Sequence, residues 1–126
     1  MFTPNAPDFP SLMLMLDAAQ MGWWKASFRT EELYVSDYIV RLLGLDGDRI
    51  PIGRLTALIR EDYRTLIHSE FMALKVGDKF DRTFPIELAD GEVWLHVQLV
   101  GRQADPETGT HLFGYIQRVP VRNRDE

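Results

Sequence analysis

His68, His96 and His111 are the residues of this 126-residue chain best suited to bind a metal or move a proton, and no cysteine accompanies them. A structural metal centre needs about four N, S or O donors brought together. His96 and His111 stand on neighbouring strand-like runs. Antiparallel pairing through a 103–109 loop puts His96 near Tyr115 or Gln117, and His111 near Val100 or Arg102. The two rings are then several residue rises of about 3.3 Å apart, and both read as surface histidines. His68 falls in a helical run. There it shares a face with Glu61, Arg64 and Lys75, not with the apolar stripe Tyr63, Leu66, Ile67 and Leu74, so it reads as solvated. Asp46-Gly47-Asp48 resembles a fragment of a calcium loop but lacks the later ligands and the bidentate glutamate. No serine sits on a nucleophile elbow or beside a glycine-rich oxyanion loop. The expectation is no catalytic residue and no metal ligand.

Composition narrows the class further. The apolar share is 45% and the charged share 26%, which suits one globular domain with a core of its own. The net charge of −5 opposes a phosphate backbone, and no basic stripe offsets it, so nucleic-acid binding is set aside. No apolar run is long enough to span a bilayer, and no basic segment precedes the first apolar stretch. Membrane contact by this segment is not expected. The absence of cysteine removes disulfides and thiolate chemistry, and cytoplasmic residence is the default expectation.

The elements follow from periodicity. Residues 1–9 read as an irregular lead-in, 10–120 as the domain, and 121–126 as a charged tail or the start of a linker. Ser11 is placed to cap a helix over Leu12–Gln20. Five successive apolar residues there leave more than one face to be covered. Gly22 ends that helix, and Trp23–Phe28 and Glu32–Val35 read as strands joined by a turn. Ser36-Asp37 caps a helix carrying Ile39, Leu42 and Leu43, which Gly44 terminates. A loop through Asp46-Gly47-Asp48 and Pro51 leads to a short helical piece, Ile52–Ile59. A longer helix, Glu61–Val76, is stopped by Gly77. Three strands follow. Phe80, Arg82, Phe84, Ile86 and Leu88 share one face of the first, and Pro85 puts that strand at a sheet edge. Val93, Leu95, Val97 and Leu99 form an apolar inner face on the second, with Trp94, His96 and Gln98 opposite. On the third, Leu112, Gly114 and Ile116 alternate with His111, Phe113, Tyr115 and Gln117. The inner face is aliphatic and the outer face aromatic.

Gly22-Trp23-Trp24 opens the first strand, and Tyr34-Val35-Ser36-Asp37 with Leu42-Leu43-Gly44 leads into the first inserted helix. Phe84–Gly91 and Trp94-Leu95 form a hairpin, and Gly114-Tyr115-Ile116-Gln117 starts the last strand. In this order and spacing the motifs resemble the PAS sensor domain, in its tryptophan-rich subfamily. Two departures stand out: Arg118-Val119-Pro120 occupies the positions of a common Asp-Ile-Thr, and Ile59-Arg60 the place of the usual His-Pro. The resemblance implies an α+β fold, with a five-stranded antiparallel sheet, helices inserted between strands 2 and 3, and an N-terminal flanking helix. It also implies a sensory or regulatory module of a longer signalling protein, such as a histidine kinase or a cyclic-dinucleotide enzyme. That role brings a small-molecule ligand, a homodimer, or both, with no catalysis of its own.

Haem-binding members carry a histidine on the long helix, where only His68 stands, and its phase argues against ligation. A flavin–cysteine adduct is excluded for want of cysteine, and no cofactor is expected. A pocket between sheet and helices would be lined by Ile39, Leu43, Leu58, Ile67, Phe84, Leu95, Val97, Leu112 and Ile116, with Arg82 the one charge able to meet an anion. The same residues would equally make an ordinary packed core. A dimer contact is expected from Leu12, Met13, Met15 and Leu16, and from Trp23, Trp94, Phe113 and Tyr115 on the outer face. Two rival readings remain. One is an interaction module with a filled core. The other is a small cone-shaped enzyme of the ketosteroid-isomerase kind, which needs a buried carboxylate that the inner-face positions lack.

Overall fold

Strict two-residue alternation of apolar and polar side chains builds the sheet, because successive strand residues point to opposite faces. The computed structural model describes residues 9–120 except 76 and 108, so the expected lead-in through residue 8 and the tail 121–126 lie outside the described residues. Its elements are α1 (Phe9–Ala18), β1 (Met21–Ser27), β2 (Glu32–Val35), α2 (Asp37–Leu43), β3 (Arg49–Pro51), α3 (Ile52–Thr56), α4 (Glu61–Met72), β4 (Asp81–Leu88), β5 (Gly91–Asp105) and β6 (Gly109–Val119). One antiparallel sheet results, in the order β3-β2-β1-β6-β5-β4. The first and last long strands therefore lie side by side at its centre, with Trp24 opposite Gly114 and Ala26 opposite Leu112. The core is the inner face of this sheet, where Trp24, Ala26, Ile86 and Leu95 are almost fully buried, closed by Ile39, Ile52, Ile67 and Phe71 from the helices.

Several elements differ from the sequence expectation. Helix α1 starts at Phe9, with Pro10 and Ser11 inside its first turn, where the missing proline N–H costs nothing. Gln20, at φ 56°, makes the reversal after the helix, whereas Gly22 belongs to β1. Gly22 is required there for space: a β-carbon would stand 2.4 Å from Ser36 Oγ and 2.5 Å from Ile39 Cγ1. Ser36 occupies the cap position of α2 without a capping bond. Its hydroxyl instead accepts the Trp23 N–H at 3.2 Å, stitching β1 to the start of α2.

A sixth strand, β3, replaces part of the expected loop and pairs Ile50 with Leu33. Three residues beside an Asp-Gly-Asp turn are too few for alternation to register. Helix α4 ends at Met72, before Gly77, and Leu66 is 62% exposed. The inward stripe runs Tyr63, Ile67, Phe71 in steps of four, and Leu66 lies about 100° away from it. Strand β4 lies at the sheet edge as Pro85 requires. Its free side is partly paired by the segment before α4: the Arg60 N–H donates to the Pro85 carbonyl at 3.0 Å, and the Glu87 N–H to that of Leu58 at 2.8 Å. Strands β5 and β6 are longer than expected, with a bulge between Leu99 and Gly101 that shifts the register. His96 faces Gln117, while His111 faces Gln103, one residue beyond the expected partners.

Candidate functional site

The inner face and the helices do not close completely. Between them lies a cavity of about 60 Å³. The sheet contributes Trp24, Leu33, Phe84, Ile86, Leu95, Val97 and Ile116 to its wall. Helix α2 contributes Leu43, α3 with its C-terminal extension Ile52, Leu55, Thr56 and Ile59, α4 Ile67 and Phe71, and the approach to β4 Phe80. Phe71 is the aromatic hub, meeting Trp24 edge-on at 5.6 Å and Phe80 at 5.5 Å, the arrangement that ring quadrupoles favour. Two polar side-chain atoms belong to the wall residues, and both are engaged. The Trp24 indole N–H donates to the Tyr115 carbonyl at 3.1 Å, and the Thr56 hydroxyl to that of Gly53 at 3.0 Å. Among the described residues no ionisable side chain lines the space.

Of the residues expected to line a pocket, Leu43, Ile67, Phe84, Leu95, Val97 and Ile116 border this cavity. Ile39 and Leu112 are buried elsewhere in the core, and Leu58 packs against its margin. Arg82 does not border the cavity: on β4 opposite Val97, its guanidinium reaches the Glu70 carboxylate of α4 at 2.9 and 3.0 Å at the exposed surface. That pairing raises the Arg82 pKa above its ordinary value and leaves the guanidinium outside the interior. Sequence reading missed the other nine wall residues, Trp24, Thr56 and Phe71 among them. Phe71 stands four residues after Ile67, a signal that the longer stripe through Leu66 obscured.

The histidines are dispersed. His68 is half-buried, with Nδ1 shielded from solvent and lacking a hydrogen-bond partner among the described residues, so it is not the solvated side chain expected; nor does it border the cavity. His111 is buried, against the expectation of a surface residue. His96 pairs with Asp81 at 2.5 Å and rests edge-on against the Tyr115 ring. Among the described residues no group of three or more His, Asp or Glu side chains is placed to hold a metal, and no helix is long and apolar enough to cross a membrane.

The expected contact surface is only partly exposed. Leu12 (44%), Met15 (59%) and Trp23 (38%) are open to solvent, together with Leu14 at 70%. Met13, Leu16, Phe113 and Tyr115 are half-buried. Trp94 is buried within its own chain: Tyr63 meets it edge-on at 5.8 Å, and the Arg60 guanidinium lies 5.6 Å from its ring centre and 5.3 Å from that of Tyr63. Arg60 also holds Asp62 through two bonds, at 2.8 and 3.1 Å, and Glu92 at 2.9 Å. These bonds, the Asp62 pair first, raise its pKa well above the ordinary arginine value.

No protein-family model matches the chain, and no curated protein matches it. Solved structures do. A sensory box histidine kinase/response regulator from Burkholderia thailandensis superposes with TM-score 0.65 at 19% identity, over 86% of this chain and 83% of that one. The N-terminal domain of a diguanylate cyclase with PAS/PAC sensor from Marinobacter aquaeolei gives 0.62 at 15% identity, over 78% and 94%. The chain has the PAS fold. A domain of a histidine kinase assigned to light and redox sensing, from Haloarcula marismortui, agrees with TM-score 0.64 at 14% identity, over 86% and 97%. The sixth strand, β3, is an edge addition to the PAS sheet expected from the sequence.

Proposed function

We propose that this PAS-fold chain is the sensory or regulatory module of a longer signal-transduction protein, coupled to an output such as a histidine kinase or a cyclic-dinucleotide enzyme. It reads a small molecule in its interior and pairs with a second copy of itself. The observation that carries this reading is the apolar cavity at the junction of sheet, α2, α3 and α4. A guest there touches all three inserted helices at once and shifts their packing together. Among the described residues the wall has no carboxylate to abstract a proton, and its one hydroxyl, on Thr56, is bonded to the Gly53 carbonyl, which supports a module that binds without catalysing and counts against the isomerase alternative. No cysteine is present for a flavin adduct, and His68 does not border the cavity. Purified protein should therefore show no visible absorption band; one at haem or flavin wavelengths would overturn the cofactor-free reading. The domain would work in the cytoplasm.

Thermal-shift screening of small molecules tests the ligand. A saturable rise in Tm that is lost when the cavity is filled by mutation is expected. The rival reading, a dimerisation module without ligand, draws on a different observation: α1 leaves Leu12, Leu14 and Met15 open to solvent. A chain that dimerises yet responds to no compound would favour it.

A further inference from the structure

The wall of the cavity restricts what it can hold. A hydrogen-bonding guest would give up its water partners and find none inside, because the surface of the cavity is wholly apolar and the Trp24 indole N–H and the Thr56 hydroxyl proton already go to the Tyr115 and Gly53 carbonyls. An anion would fare worse, because Arg82 is held at the surface by Glu70. Water is disfavoured for the same reason, as an interior water needs about 2–4 polar partners. Size sets the other limit. The cavity is about 60 Å³, whereas one water needs about 10–15 Å³ and an apolar cavity that takes benzene is about 150 Å³. The rings of Trp24, Phe71, Phe80 and Phe84 border the space, and dispersion against such surfaces rewards a polarisable guest.

We infer that the interior binds a small, uncharged, apolar molecule without hydrogen-bonding groups, of the size of a dissolved gas or a very short hydrocarbon. This inference rests on the core being the sensory site, and it narrows the ligand to one chemical class. Polar metabolites, nucleotides and carboxylates fall outside it.

Xenon is the probe, applied under pressure to the whole chain while methyl NMR shifts are recorded. Saturable shifts are expected at the wall methyls of Leu33, Leu43, Ile67 and Ile116, and not at the exposed Leu14 and Val100. Val97→Ile adds one methyl group to the cavity and should weaken xenon binding several-fold. The larger Leu43→Phe should abolish it, and Val97→Ile remains the folded test if that variant does not fold. Shifts that spread equally over surface methyls, or that persist unchanged in Val97→Ile, overturn the inference. Acetate, a small carboxylate, should leave the wall methyls unmoved. Saturable acetate shifts there would overturn the apolar class while keeping the core as the sensory site. If neither probe binds, the core as a ligand site fails with it, and the dimerisation reading stands.

Discussion

A single β-carbon on Gly114 would stand 1.8 Å from the Gln98 carbonyl oxygen and 3.0 Å from Trp24 Cζ2. The glycine lets β6 approach β5 closely beside the indole that β1 sends across it. Gly114→Ala must part β5 from β6, so it should cost upward of about 3 kcal/mol, the top of the usual overpacking range. A urea midpoint equal to that of the parent would refute the close approach. Arg60 acts differently, by joining Asp62, Glu92, Tyr63 and Trp94 at the sheet edge. Arg60→Lys keeps the charge but loses the planar fork and the stacking. It should lower Tm and expose Trp94, read as a red-shifted tryptophan emission; an unchanged spectrum would deny the clamp.

Tyr38 carries the pH prediction. Burial raises its phenol pKa, Arg118 and Arg41 draw it back down, and Asp17 pushes it up. A raised phenol pKa means that the unfolded chain gives up the proton first. The stabilisation is therefore complete below about pH 10, the ordinary tyrosine value, and is lost as pH rises through the folded-state pKa. Tyr38→Phe should flatten the alkaline fall in stability; an equally steep fall would assign it to other groups.

Among the elements, β5 sends Val93, Leu95 and Val97 into the core. Leu95 is 2% exposed and lies between Phe84 of β4 and Arg118 of β6. Leu95→Ala should destabilise by about 2–5 kcal/mol, and a folded variant with the parent's Tm would refute the strand register. This strand was legible because its alternation is unbroken from Val93 to Leu99. The bulge that follows was not, because no turn residue marks it before Gly101. Helix α4 was legible as a helix, but its inward phase was not. Leu66 and Ile67 are adjacent and equally apolar, and only the packing of Phe71 against Trp24 and Phe80 decides which one turns inward.

For the whole molecule, the exposed face of α1 carries the self-association prediction. Leu14 and Met15 are 70% and 59% exposed, and contiguous apolar surface of this kind marks a contact. With Trp94 taken into its own chain, the expected contact shifts from the outer sheet to α1 and Trp23. The parent protein is expected to sediment as a dimer at micromolar concentration and Leu14→Asp with Met15→Asp as a monomer, with unchanged far-UV spectra. A parent that is monomeric throughout would remove the dimer from the proposal.

What the sequence determined by itself was local and repetitive: two-residue alternation, glycines at turns, and a proline that belongs on an edge strand. These features fix the element order, and with it a sheet whose inner face is apolar. The candidate site was legible only in part, as Leu43, Ile67, Phe84, Leu95, Val97 and Ile116. A cavity is what packing leaves over, and periodicity cannot say where side chains fail to meet. Tertiary structure alone decided that Glu70 of α4 holds Arg82 at the surface, that Tyr63 and Arg60 cover Trp94, and that β3 joins the sheet. Each of these depends on partners distant in sequence, whose approach is set by how whole elements pack and not by the residues within any one of them.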